Sequence, residues 1–193
     1  LIDSKTVTIE NSKIYGITVG IIEKFTAKGN TFKANQGGIK IKNTNAQAVI
    51  RIIGNQFTNV DDALNLDTPG EIEVSDNSFE KFEYAVRAES KQSRLVVVRN
   101  NQFYDGSTVF ESLGPFVEFV GNNVTHAVGT NSLLPFGIGS TLIANNTFTN
   151  CAVIQNEQLI KILNYAKGDF PIPITVVGNT FKSIAASSAV DIK

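Results

Sequence analysis

Three short stretches of this chain, Lys40-Ile41-Lys42, Asn65-Leu66-Asp67 and Arg87-Ala88-Glu89, share one pattern, a pair of polar or charged side chains flanking an apolar one. They recur at intervals of 25 and 22 residues. Laid side by side, they stack Lys40, Asn65 and Arg87 in one column and Lys42, Asp67 and Glu89 in the next. Asp61 and Glu83 align just ahead of them, with Asp62 beside Asp61. Such a face offers two kinds of chemistry. Lys40 and Arg87 can engage a ligand carboxylate, Arg87 in bidentate fashion. Stacked carboxylates repel, and a calcium ion held by Asp67, Glu89 and Glu111 would relieve that, since calcium accepts several oxygen ligands in adaptable geometry. The alternative is that these carboxylates are simply solvated, with Lys42 and Lys91 nearby. Glu111 enters the column when Arg87-Ala88-Glu89-Ser90 is matched to Val109-Phe110-Glu111-Ser112, a register that also aligns Asp105. A strict count from Asn101 brings in Leu113 and Ser107 instead. The motif match is preferred.

The elements that must position these residues come from a repeat. Asn-x-Phe occurs at Asn30/Phe32, Asn55/Phe57, Asn77/Phe79, Asn101/Phe103, Asn146/Phe148 and Asn179/Phe181, with Asn122/Val124 as a variant. The spacings, 25, 22, 24, 21, 24 and 33, are nearly constant but elastic, which suits a solenoid whose turns accept insertions. Before each Asn the residues alternate with a period of two, as in Ile50-Arg51-Ile52 and Val96-Val97-Val98, and a second alternating stretch follows each Phe. No segment carries an amphipathic helix with caps. Two alternating strands and a short Asn-x-Phe strand per unit predict an all-β fold, a single-stranded right-handed parallel β-helix of about seven to eight coils. The Asn side chains are expected to form a ladder at one bend and the Phe side chains to stack inside.

Composition narrows the field. At 193 residues, 42% hydrophobic and 18% charged, the chain predicts one globular domain. No apolar run reaches the ~20 residues of a spanning helix. Lys and Arg number 17 against 18 Asp and Glu, interspersed, which excludes a nucleic-acid partner held by bulk charge. A single Cys and a single His exclude disulfide scaffolds and zinc sites built from several such ligands. The chain begins at Leu1 and ends at Lys193 without visible caps, so residues 1–193 read as one β-helix domain within a larger protein, with flanking domains as partners.

The segment FKANQGGIKIKNTNAQAVIRIIGNQF resembles the parallel β-helix repeat of the pectate-lyase-like superfamily in its order of Asn turn, short strand, Gly-rich turn and Gly-Ile-x-Ile strand. The resemblance spans nearly the whole chain and specifies architecture rather than reaction. It implies a protein acting outside the cytoplasm, extracellular, periplasmic or at the cell surface, on polysaccharide or oligosaccharide. Asn59 to Asp67 is similar to the Asp-Asp segment of β-helix glycoside hydrolases, which makes Asp61 and Asp62, with Glu83, candidates for general acid and base. No Gly-His-Gly and no Arg-x-Lys follow, and a polar turn whose Asp side chains cap backbone amides is the competing reading. Lys40, Lys42 and Arg87 beside an acidic column resemble the Lys/Arg plus calcium arrangement of polysaccharide lyase family 6, the alginate lyase and chondroitinase B type, with Lys40 and Arg87 in catalytic roles. Ala88-Glu89 stands where that family's arginine motif has His-Gly.

Three classes therefore stay open: a glycan-associated module binding acidic polysaccharide, which is preferred, a catalytic lyase or hydrolase, and a structural adhesin or spike segment. The ligand-binding face is expected to carry Lys40, Lys42, Asn65, Asp67, Arg87 and Glu89. His126 and Cys151 read as structural residues, and Tyr165 to Pro173 as an inserted loop.

Overall fold

The computed structural model describes residues 4–33, 37–114, 116–130, 132–137, 139–154, 157–162 and 173–192, the final two by backbone alone. The inserted loop expected at Tyr165 to Pro173 lies outside the described residues except for Pro173.

Alternating apolar residues can bury one face of a strand, and in this chain each strand buries that face by stacking on its equivalent one turn away. Among the described residues three parallel sheets of eight strands result, and each coil adds one strand to each sheet. The first sheet runs from Thr6–Glu10 to Ile174–Val177, the second from Lys13–Ile14 to Thr180–Lys182, and the third from Ile17–Val19 to Ser188–Ile192. An extra pair, Val128–Gly129 with Ala152–Val153, forms between the second and third sheets of two later coils. The fold is the expected parallel β-helix.

Asparagine holds the bend between first and second sheets. Asn30, Asn55, Asn77, Asn101, Asn122 and Asn146 are buried, and each donates its backbone N–H and side-chain Nδ2 to the Oδ1 of the next Asn at 2.8–3.1 Å. The same Nδ2 groups donate to first-sheet carbonyls, Asn77 to Ile52 at 2.8 Å for example. A shorter or apolar side chain would strand several buried groups, each at about 1–3 kcal/mol. The residue before each rung, Asn11, Gly29, Gly54, Asp76, Asn100, Gly121, Asn145 or Gly178, has φ between 50° and 68°. Gly, Asn and Asp are the residues that enter this region most cheaply, which explains their recurrence there.

Inside, Phe32, Phe57, Phe79 and Phe103 stack with centroids 4.6–5.0 Å apart and rings within 8° of parallel. Val124 interrupts this column, and the vacated volume is taken by Phe119 of the first sheet, which stands where neighbouring coils carry Val98 and Ile143. Phe119 contacts Phe103 at 6.1 Å and Phe148 at 6.4 Å, and the column resumes with Phe148 and Phe181 at 5.1 Å.

Third-sheet strands open with two consecutive inward residues: Gly38-Ile39, Ala63-Leu64, Ala85-Val86 and Val109-Phe110. After this irregularity the alternation resumes, directing Lys40, Asn65, Arg87 and Glu111 outward. Gly38 is required here, because a Cβ on it would lie 2.0 Å from the Ala63 carbonyl oxygen.

Candidate functional site

Backbone pairing settles the columns. Thr18, Lys40, Asn65, Arg87 and Glu111 are successive partners across the third sheet, and Lys42 pairs with Asp67. Ala88 pairs with Ser112, so Leu113 rather than Glu111 follows Glu89, and the Leu113 N–H donates to the Ala88 carbonyl at 3.0 Å. The strict count from Asn101 is therefore correct, and the motif match is not. Tyr84 pairs with Thr108, which sets Ser107 beside Glu83 in place of Asp105. The physical reason is that pairing propagates from the asparagine ladder, and Arg87 and Glu111 each stand ten residues after their rung. Asp67, Glu89 and Glu111 consequently do not share a column. Among the described residues no group of three or more His, Cys, Asp or Glu side chains lies together in a way that could hold a metal ion.

Arg87 is the electrostatic centre of the middle coils. Its side chain is only 20% exposed, and it meets Asp62 at 3.7 Å, Glu89 at 3.7 Å and Glu111 at 3.3 Å. The guanidinium carbon also sits 3.7 Å from the centroid of the Tyr84 ring, a cation–π contact. Nε is buried and out of hydrogen-bond geometry, though within ion-pair range of Glu111 Oε2. Three carboxylates and an aromatic face thus occupy the group expected to grip a ligand carboxylate. Asp62 of the expected acid/base pair is drawn into the same cluster, while Asp61 and Glu83 stand exposed on neighbouring coils, the Glu83 N–H bonded to the Asp61 carbonyl at 3.1 Å.

The coils nearer the N-terminus differ. Lys40 and Lys42 are exposed, and neither enters an ion pair among the described residues. A groove of about 450 Å³ opens beside Lys40, lined by Tyr15, Thr18, Gly38, Lys40, Asp62 and Asn65 among others. Tyr15, 77% exposed, forms one wall. No repeat motif in the sequence marks this residue. The first coil has no Asn-x-Phe. Ser12-Lys13-Ile14 takes that place, its Ser12 N–H donating to Asn30 Oδ1 at 3.0 Å. Asn11 at the left-handed position, followed two residues on by Lys13-Ile14, was the available signal.

His126 occupies the left-handed position at the second bend with φ 56°, its ring 5.4 Å from Tyr104 and its Nε2 3.3 Å from Asn150 Nδ2. Cys151 is buried with its Sγ 3.5 Å from the Thr149 carbonyl, and burial raises its pKa.

Stacked parallel coils, an internal asparagine ladder and a polar outer groove define a β-helix repeat protein. A family model described as right handed beta helix region matches residues 1–191, and the chain belongs to that family. No curated protein and no solved structure shows a significant match to it.

Proposed function

We propose that this chain is an extracellular, non-catalytic module that binds acidic polysaccharide at the groove between Tyr15, Lys40 and Asn65. The observation that carries this reading is the pairing, in one open groove, of the exposed Tyr15 ring with the unneutralised Lys40, with Lys42 two residues further along the same strand. A sugar ring can lie on the Tyr15 face, its carboxylate can meet Lys40 or Lys42, and Thr18 and Asn65 offer hydrogen bonds to hydroxyls. What supports binding over catalysis is the state of Arg87: a base or carboxylate anchor must be free to reach substrate, and this guanidinium is committed to Asp62, Glu89 and Glu111.

Calorimetric titration with oligogalacturonate and with a neutral oligosaccharide of equal length tests the proposal. Acidic oligomers are expected to bind, Tyr15→Ala and the double variant Lys40→Ala/Lys42→Ala are expected to weaken them about tenfold each, and no unsaturated uronate product is expected. Affinity untouched by both variants would remove the site from this groove. Accumulation of unsaturated product would make the chain a lyase.

A further inference from the structure

Tyr15 stands at the bend between the second and third sheets and walls two grooves. Besides the larger one, a narrower groove of about 140 Å³ is lined by Lys13, Ile14, Tyr15, Thr31 and Lys33 on the second-sheet side. Lys13 pairs with Thr31 and Ile14 with Phe32, which sets Tyr15 level with Lys33 on the next coil. Lys13 and Lys33 are exposed, and like Lys40 and Lys42 they enter no ion pair among the described residues. Three uncompensated ammonium groups, those of Lys13, Lys33 and Lys40, therefore line the two grooves that share the Tyr15 ring, and Lys42 lies two residues beyond Lys40 on the same strand.

Along the helix axis the charge reverses in three of the four lysine columns, and the fourth, that of Lys13, runs on through the neutral Thr31, Gln56, Ser78 and Gln102. Lys33 is followed by Thr58 and Glu80, Lys42 by Asp67 and then Glu89, and Lys40 by Asn65, the neutralised Arg87 and Glu111. Successive coils are ~4.8 Å apart, so a polyanion advancing along the axis from Lys33, Lys40 or Lys42 meets a carboxylate within one to three coils, and from Lys13 it meets no further cation. One turning around the circumference meets lysines on both sides of the Tyr15 ring, and the carboxylate that lines its groove, Asp62, is already paired with Arg87 at 3.7 Å.

We infer that the acidic glycan crosses the β-helix transversely, passing over Tyr15 from Lys40 and Lys42 on the third sheet to Lys13 and Lys33 on the second. This rests on the glycan-binding reading above and adds to it a direction, a second subsite and a minimum ligand length. Electrostatic complementarity selects the path, since the alternative direction opposes like charges.

Titration with oligogalacturonates of graded length, using the wild-type chain, Lys13→Ala/Lys33→Ala, Lys40→Ala/Lys42→Ala and Glu89→Gln, tests the path, with circular dichroism confirming that each variant is folded. Long oligomers are expected to lose about tenfold in affinity to either lysine pair, whereas oligomers too short to span the bend lose affinity to Lys40→Ala/Lys42→Ala alone. Glu89→Gln, off the path, is expected to change nothing. If Lys13→Ala/Lys33→Ala leaves every length unaffected while Lys40→Ala/Lys42→Ala weakens binding, or if Glu89→Gln tightens it, the ligand runs along the axis and the transverse path is wrong, though the groove stands. Absence of binding to the wild-type chain removes both readings.

Discussion

Arg87 shows how one side chain can be visible in a sequence and still be misjudged. Its column and outward direction follow from counting, but its availability depends on carboxylates contributed by two neighbouring coils. Because three acidic partners surround a mostly buried guanidinium, Arg87→Ala is expected to destabilise the fold by about 1–3 kcal/mol, leaving Glu111 without its cation. Arg87→Lys restores charge but neither the planar fork nor the stacking on Tyr84, and is expected to recover only part of the loss. Urea unfolding of the three proteins measures both effects, and an unchanged midpoint in Arg87→Ala would show the cluster to be energetically silent. Cys151 carries a second expectation. Burial raises the folded-state pKa of its thiol above the ordinary thiol range, so the neutral thiol is the form that the fold accommodates. Its contribution is fully present below the unfolded pKa and is lost as pH rises through the folded one. Stability above about pH 9 is therefore expected to fall less steeply in Cys151→Ala than in the wild type once the constant cost of the substitution is subtracted. Parallel slopes across that window would contradict it.

Elements in this protein are fixed by their neighbours one coil away, and Val124 with Phe119 makes the point. Restoring the repeat by Val124→Phe inserts a ring into volume that Phe119 already fills, and is expected to cost about 1–3 kcal/mol despite matching the consensus. Phe119→Val alone opens a cavity of comparable or greater cost. The double variant returns the ring to the column and a small residue to the first sheet, and is expected to be more stable than the sum of the single effects by at least 1 kcal/mol or so, a coupling that a double-mutant cycle reads directly. Strict additivity would mean that the two residues do not share that space. This exchange also explains what was and was not legible beforehand. Asn-x-Phe exposed the coils, the ladder and the inner stack, because a period of about two dozen residues and an alternation of two admit few other folds. It hid the first coil, where Ser12 and Ile14 perform the same tasks with different side chains and Tyr15 was passed over with them. It also left the register open at Glu111, where the likeness of two Glu-Ser pairs competed with distance from the ladder. Hydrogen bonding follows the ladder, so the count prevails over local similarity.

At the scale of the whole molecule, a formal net charge of −1 conceals a gradient along the helix. Lys13, Lys33, Lys40 and Lys42 lie on the first two coils, whereas Asp61, Asp67, Glu83, Glu89 and Glu111 occupy the next three, with Arg87 internally compensated. A sequence-wide sum cannot report this separation, since it arises only when coils stack and successive charges are sorted by height. The consequence is a dipolar surface on which an acidic polymer is attracted to one end and repelled from the middle. Exposed charges act over roughly 10 Å at 0.1 M salt and about 3 Å at 1 M, so the attraction between the lysines and a uronate chain is expected to collapse over that range. Stacking on Tyr15 depends little on ionic strength. Affinity for oligogalacturonate is thus expected to fall steeply as sodium chloride is raised, levelling off at a weak remainder that Tyr15→Ala abolishes, while Lys40→Ala/Lys42→Ala lowers the low-salt affinity and flattens the slope. Isothermal titration at a series of salt concentrations separates the two contributions. A salt-independent affinity in the wild-type chain would show that the lysines take no part and that any binding is carried by the aromatic ring and neutral hydrogen bonds.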